Sequence, residues 1–265
     1  MSPVIKWTLW QRRWSIAWWS LGIAALIILT LAFYPAFRNQ AQLNSQLSQI
    51  PQAAKSLISD TGDFLSPEGY LSSQIFYLML PMILSILSIG MGSSLIAKEE
   101  SEGTIELLLS RPISRTKLLL GKAIAGAVIL IIVGSVAVFF TVVLSRLVNL
   151  DVASSRIVIA GLLSILISLL FGAIAFALSA LGDFGRLASI GVSVMIALAG
   201  YIIASLASVV DWLRWPAKVL PYNYYHPARI LSGYYPWWDF IGFLIVIACL
   251  MVLSWLFFRR RDIGA

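Results

Sequence analysis

The sequence has few charged residues, one cysteine and one histidine. Only 12% of its 265 residues are charged, while 60% are hydrophobic. A soluble domain carries roughly a quarter of its residues as charges, so this composition excludes an ordinary water-soluble domain and indicates an integral membrane protein. The single cysteine, Cys249, excludes an intrachain disulfide framework.

Groups that perform chemistry are equally scarce. The one histidine, His226, lies in a connecting segment, and no group of His, Cys and carboxylates has metal-ligand spacing. A serine nucleophile needs a neighbouring base, and no apolar run contains a histidine. The pair Gly121-Lys122 lacks the first glycine and the final hydroxyl of a phosphate-binding loop. We therefore expect no catalytic, cofactor-binding or metal site in this chain.

Six apolar runs are long enough to cross a bilayer, which needs about 20 helical residues. Lipid offers no hydrogen-bond partners to the backbone, so each run must be helical. The sequence therefore predicts an all-α membrane protein with six transmembrane helices, and Pro81 predicts a kink in the second. The predicted spans are 15–34, 71–97, 118–144, 157–181, 187–210 and 240–258.

The connections between these runs predict the orientation. Lys and Arg are concentrated near both termini and in the second connection, and such clusters stay in the cytoplasm. The same rule explains the net charge of +7 without nucleic acid, for which the chain carries no motif. We expect cytoplasmic termini, a membrane domain over 15–265, a cytoplasmic segment 98–117, and external segments 35–70 and 211–239.

The first residues predict a helix in the membrane interface. Four tryptophans recur at steps of three and four, so they share one helical face. Lys6 and Arg13 lie off that stripe, and such an amphipathic helix lies in the headgroup plane. We expect this interfacial helix over 1–14, turning into the membrane near Ser15. A longer first span with an aromatic belt is the alternative. The candidate interfacial residues are Trp7, Trp10, Arg13 and Trp14, with Trp18 on the same stripe.

The external segment 211–239 is rich in tryptophan and tyrosine, a composition typical of the headgroup layer. Pro227 suits the first turn of a short helix through Leu231, with Gly233 as its stop. We interpret the segment as broken or re-entrant helices at an external mouth, and a plain aromatic belt is the alternative. The candidate residues of this mouth are Tyr222, Tyr224, Tyr225 and His226.

Charge is concentrated between the second and third runs, in "KEESEGTIELLLSRPISRTKLLLGK" from Lys98 to Lys122. Gly103 interrupts the helix, Thr104 to Ser110 predicts a short helix with one apolar face, and Pro112 ends it. An apolar face with a polar rim is typical of a partner-binding helix. A solvated loop whose basic residues fix the topology is the alternative. Ser114 is a candidate cap for the next helix, and we expect Lys122 to extend toward the interface.

This stretch resembles the signature of permease subunits in the ABC-2 branch of ATP-binding-cassette transporters. The pattern has an acidic pair, Gly-Thr, an acid, leucines, Pro-x-Ser-Arg and then Gly-Lys into the next span. The matching residues are Glu99, Glu100, Gly103, Thr104, Glu106, Leu107, Leu108, Pro112, Ser114, Arg115, Gly121 and Lys122. Six spans, the large first external loop and the ending "FFRRRDI" agree with it.

The resemblance implies an ABC-2 exporter-like fold and a transport function. In such families this segment is a coupling helix that docks on a separate cytoplasmic ATPase, which binds ATP and Mg. Two permease chains, identical or related, then work with two ATPases in the inner (plasma) membrane. The implied docking residues are Glu99, Glu100, Glu102, Gly103, Thr104, Ile105, Glu106, Leu107, Leu108, Leu109, Pro112 and Arg115.

The resemblance also implies export by alternating access. The apolar spans carry no charge away from their ends, which suits an amphipathic or hydrophobic substrate, such as a drug, antibiotic, peptide or lipid, and equally suits ordinary helix packing. We expect membrane lipid, and no nucleic acid, among the other partners. A second hypothesis needs the same docking segment and stays open. In it, the chain is a membrane anchor or regulatory subunit that binds the ATPase and transports nothing.

Overall fold

The computed structural model describes residues 2–38, 50–60, 64, 66–101, 114–181 and 186–260. Every regular element within these ranges is helical. In chain order the helices are α1 (Ser2–Gln11), α2 (Arg13–Ala32), α3 (Tyr34–Arg38), α4 (Gln52–Ile58), α5 (Pro67–Leu71), α6 (Met79–Ser101), α7 (Arg115–Leu147), α8 (Ser154–Leu181), α9 (Arg186–Leu206), α10 (Arg214–Ala217), α11 (Pro227–Leu231) and α12 (Trp237–Arg260). Single turns lie at Ser72–Phe76, Asp211–Leu213 and Pro221–Tyr224.

The described residues contain six helices long and apolar enough to cross a membrane. They correspond to the six predicted runs, so the prediction of an all-α membrane fold is confirmed. Helix α7 is longer than its predicted span, because it starts at Arg115 and continues to Leu147. We call the end of the bundle where α6 stops and α7 starts the junction end, and the opposite end, near segment 211–236, the cap end.

Helices α6 and α8 form the centre of the bundle. Of an apolar stretch of 18 residues in each of their spans, 67% is buried. For the spans of α2, α9 and α12 the corresponding share is 22% or less. Glycines allow the central pair to meet backbone to backbone. A Cβ on Gly92 would lie 2.3 Å from the carbonyl oxygen of Gly172, and one on Gly172 would lie 1.9 Å from Ser88 Oγ. Close contact of this kind stabilises membrane helices through packing.

The kink expected at Pro81 takes a different form. The chain is interrupted before this proline by a π-helical turn at Ser72–Phe76, in which Tyr77 N–H donates to the carbonyl oxygen of Ser72 at 2.7 Å. Pro81 then lies in the first turn of α6, where its missing N–H has no partner to lose. The irregular turn therefore precedes the proline, within the spanning segment Pro67–Leu95.

The N-terminal segment is divided at Arg12, three residues before the predicted turn near Ser15. The side chains of Trp7, Trp10, Trp14 and Trp18 are all exposed, as their shared face predicts. Arg13 differs from the prediction of cations on the opposite side, because its guanidinium carbon lies 4.4 Å from the centre of the Trp10 ring. A cation over an aromatic face is attracted by the ring quadrupole. The interfacial position of α1 stays a prediction.

Candidate functional site

The junction end brackets the segment that the sequence predicts to bind a partner. Helix α6 continues through Lys98, Glu99 and Glu100 to Ser101, and α7 starts at Arg115. Ser114 caps α7 as predicted, because its Oγ accepts from the N–H of Lys117 at 3.4 Å. The candidate docking residues Glu102, Gly103, Thr104, Ile105, Glu106, Leu107, Leu108, Leu109 and Pro112 lie outside the described residues, as do the side chains of Glu99, Glu100 and Arg115.

Side-chain hydrogen bonds connect the helix ends around this segment. Arg12 Nη2 donates to Ser94 Oγ at 2.8 Å and joins the N-terminal segment to α6. On the other side of the junction, Trp255 Nε1 donates to Thr116 Oγ1 at 3.1 Å and joins α12 to α7. Arg12 is thereby connected to α6, and α12 to α7, at the junction end.

Lys122 is placed differently from the prediction that it extends to the interface. Its side chain is only 5% exposed, and Nζ donates to the carbonyl oxygen of Leu95 at 2.8 Å. This bond connects α7 to the last turns of α6. Sequence alone gives no sign of it, because both positions fall within apolar runs and the acceptor is a backbone atom.

At the cap end, segment 211–236 forms short helical pieces between the long helices α9 and α12. Helix α11 runs from Pro227 to Leu231 and ends before Gly233, as the sequence predicts. Gly233 has a φ of 101°, a left-handed conformation that favours glycine. Arg156 of α8 donates to the carbonyl oxygen of Leu231 at 3.0 Å, which holds α11 against the bundle.

Five aromatic residues pack together beneath this segment, and we call them the outer aromatic cluster. Tyr222 lies at the centre, with its ring centroid 5.8 Å from that of Phe171, 5.6 Å from that of Tyr201 and 5.7 Å from that of Tyr225. Tyr77 joins the cluster through Tyr201, at a centroid distance of 5.8 Å. Offset and edge-to-face geometries such as these are favourable for aromatic pairs. The cluster joins α8, α9 and the chain before α6 to segment 211–236.

Three tyrosine hydroxyls of the cluster, those of Tyr225, Tyr77 and Tyr201, are hydrogen-bonded within the protein. Tyr225 OH lies 2.7 Å from Ser164 Oγ and also donates to the carbonyl oxygen of Phe76. Tyr77 OH lies 2.7 Å from Ser205 Oγ and 2.9 Å from the carbonyl oxygen of Ser56. Tyr201 OH donates to the carbonyl oxygen of Leu57. Buried hydroxyls require such partners, and here the partners come from α8, α9 and the α4 region.

Asp60 adds a polar connection at the cap end. Its carboxylate accepts from Ser72 Oγ at 2.9 Å and from the N–H of Ala228 at 3.0 Å. Although part of this side chain is exposed, desolvation raises the pKa of the carboxyl, and these two hydrogen bonds oppose the rise. The interaction joins the segment before α5 to the first turn of α11.

The predicted residues of the external mouth are divided by the structure. Tyr222 and Tyr225 belong to the outer aromatic cluster, whereas Tyr224 is 43% exposed and donates to the carbonyl oxygen of Lys218 at 2.9 Å. His226 is half-buried, and its Nδ1 has no hydrogen-bond partner among the described residues. Desolvation and the nearby Arg229 lower the pKa of its imidazole. The sequence analysis missed Tyr77, Phe171, Tyr201 and Asp60, which lie far from the segment in the sequence.

We expect Tyr225→Phe to destabilise the folded protein. The change leaves the carbonyl oxygen of Phe76 without its buried donor, and such a loss costs about 1–3 kcal/mol. Tyr224→Phe is the matched control, because it removes the same hydroxyl from an exposed residue and should change stability by less than about 0.5 kcal/mol. Thermal unfolding in detergent measures both. Equal losses of stability in the two variants would show that the buried hydrogen bonds of Tyr225 stabilise the protein no more than the exposed one of Tyr224.

The described residues define a class of protein: their regular elements are helical, six of the helices are long and apolar enough to span a membrane, and short elements pack as a cap at one end. In the sequence, a charged connection joins α6 to α7 at the other end. Among the described residues no group of three or more His, Cys, Asp or Glu could hold a metal. The family model described as ABC-2 family transporter protein matches residues 11–263, and the chain belongs to this family. It is a multi-pass membrane permease component of an ABC transporter and works with an ABC ATPase subunit. A comparison with curated proteins finds no match.

Proposed function

We propose that this chain is the permease of an ATP-driven exporter. It moves an amphipathic or hydrophobic substrate by alternating access, with ATP and Mg bound by a separate ATPase. The observation that carries the proposal is the family match over residues 11–263. The working unit has two permease chains, identical or related, and two ATPases in the plasma membrane. Both termini and the junction end face the cytoplasm.

The segment 98–117 is the proposed ATPase-docking site. Support comes from its position, because it connects α6 to α7. Near this segment, hydrogen bonds join α6 to Arg12, α7 to α6, and α12 to α7. A force applied there reaches the membrane part through rigid helices, which change arrangement as units. Lys122 and Arg12 supply two of these connections.

The outer aromatic cluster is the proposed external gate. Support comes from its packing, because its rings lie between segment 211–236 and helices α8 and α9. In alternating access one end closes while the other opens. Because the rings belong to different elements, segment 211–236 could move away from α8 and α9 without unfolding a helix.

A reconstituted complex tests the proposed function. The tagged chain is purified with its ATPase and placed in liposomes, and accumulation of an amphipathic fluorescent dye is followed. We expect ATP to drive dye into vesicles whose ATPase faces outward, which is the export direction, while the chain alone neither hydrolyses ATP nor moves dye. ATP hydrolysis by the complex with no movement of amphipathic dyes, peptides or lipid analogues would support the membrane anchor instead.

A further inference from the structure

A cavity of about 240 Å³ lies between α6, α7, α8 and α12, at the level of the junction-end half of the spans. It lies on the junction-end side of Phe171 of the outer aromatic cluster, whose chain neighbour Gly172 lines the cavity. Its walls are apolar except for the hydroxyl of Ser88. Its lining includes Met91 and Gly92 of α6, Leu120, Ile124, Gly126 and Ala127 of α7, and Met251 of α12.

The cavity exists because small residues meet at this level from three helices. Gly92 and Gly172 hold α6 and α8 in backbone contact, while Gly126 and Ala127 place no large side chain on the facing side of α7. A Cβ on Gly126 would lie 3.1 Å from Leu95 Cδ1, so even one methyl group would press on the opposite wall. The space is therefore built by the choice of residues on three separate helices.

The cavity is closed toward the junction end. Leu95, Leu119, Phe176, Ala180 and Phe258 form a separate buried cluster there, with Trp255 packed against it. Trp255 is also hydrogen-bonded to Thr116 across α7 and α12. The buried Lys122 ammonium lies at this floor, where it donates to the carbonyl oxygen of Leu95 at 2.8 Å.

The cavity is open toward the side of the bundle. Leu120 and Ile124, which line it from α7, keep 36% and 40% of their side chains exposed. Both lie within the apolar span Thr116–Leu147. What lies outside a spanning helix at this depth is the hydrocarbon of the bilayer, so the opening leads to acyl chains and not to water.

An apolar space of this size can accept an apolar occupant. A cavity lined by aliphatic side chains stays dry, and one of about 150 Å³ already takes benzene or xenon. Left empty, the lining atoms would lose their dispersion contacts on one side. Neighbouring acyl chains are already present at high concentration and need no desolvation to enter.

We infer that this cavity binds one acyl chain of a membrane lipid, which enters from the bilayer beside Leu120 and Ile124 of α7. The bound acyl chain would contact α6 just before the segment 98–117 and α7 just after it. An occupant of this site would therefore affect how easily α6 and α7 move relative to each other. The inference goes beyond the proposed function and holds whether or not segment 98–117 docks an ATPase.

Photo-crosslinking tests the inference on the full chain in liposomes. Phosphatidylcholine carrying a diazirine near the end of one acyl chain is activated, and the modified residues are mapped by mass spectrometry. We expect labelling at Met91 and Met251, on opposite walls of the cavity. Ala127→Phe fills the space and should remove most of this labelling. Ala248→Phe is the matched control, because Ala248 is exposed on α12 beside the lining residue Ile247, and labelling should persist.

Met251→Ala supplies a second variant that keeps the inference testable if Ala127→Phe fails to fold. It widens the cavity, so labelling of Met91 should increase. Unchanged labelling of Met91 in either variant would overturn the inference. Labelling confined to outward-facing residues such as Val252 and Leu253 would also overturn it, because lipid would then contact the outer surface alone.

Discussion

Gly172→Leu should prevent this chain from folding into a stable bundle. A Cβ at this position would lie 1.9 Å from Ser88 Oγ and 3.0 Å from the carbonyl oxygen of Ser88. A larger side chain must therefore separate α6 from α8, the two central helices. Inserting bulk into a packed core costs about 1–3 kcal/mol when side chains can adjust. Here a backbone atom is in the way, so we expect a loss at or above the top of that range.

The measurement is the yield of monodisperse protein in mild detergent, followed by thermal unfolding. Gly191→Leu is the matched control, since a Cβ on Gly191 meets nothing within 4 Å. We expect the control to purify and unfold like the unchanged protein. A Gly172→Leu variant with normal yield and normal unfolding would contradict the central position of the α6–α8 contact.

Leu108→Arg should remove the ATPase from the purified complex. The sequence places Leu108 on the apolar face of the predicted docking helix, together with Ile105 and Leu109. An arginine there would bury an unpaired charge in the groove of the partner, which is strongly unfavourable. We expect loss of most of the bound ATPase, while the permease chain still inserts and folds. Glu106→Arg, on the polar side of the helix, should act in the same direction.

Co-purification through a tag on the permease measures the bound ATPase. Val219→Arg is the matched control, because it introduces the same charge at an exposed apolar residue of the cap end. The control should retain its ATPase. If Leu108→Arg also retains it, the assignment of segment 98–117 as the docking site is wrong.

The sequence predicts well what depends on local pattern. Six spans follow from apolar length, the helix Pro227–Leu231 from its first proline, and the end of that helix from Gly233. Ser114 is found as a cap for the same reason, since its partner is the N–H three residues later. In each case the physical cause lies within a few residues, so one stretch of sequence contains it.

The sequence does not predict what depends on distant elements. Tyr77 and Tyr201 are far apart in the sequence. Their rings meet only because α9 packs beside the start of α6. Lys122 is buried because Leu95 offers a carbonyl from the neighbouring helix. Asp60 finds its donors on α11 and in the turn at Ser72–Phe76. These contacts are set by helix packing, which hydropathy does not encode.

The position of the π-helical turn before Pro81 shows the same division. Proline predicts an interruption, because its ring excludes a hydrogen bond to the residue four positions earlier. Where the interruption falls is decided by packing. The turn at Ser72–Phe76 allows Ser72 to reach Asp60 and places Phe76 beneath Tyr225. The turn therefore also supplies contacts at the cap end.

The most direct test of the account asks whether ATP at the junction end opens the cap end. Ala228, which is 2% exposed, is replaced by cysteine in a Cys249→Ser background. Its reaction with a membrane-impermeant maleimide is measured in the complex with and without ATP. The account predicts faster labelling with ATP, and no such increase when Leu108→Arg is added. Equal labelling rates with and without ATP, or an unchanged increase in the Leu108→Arg variant, would contradict it.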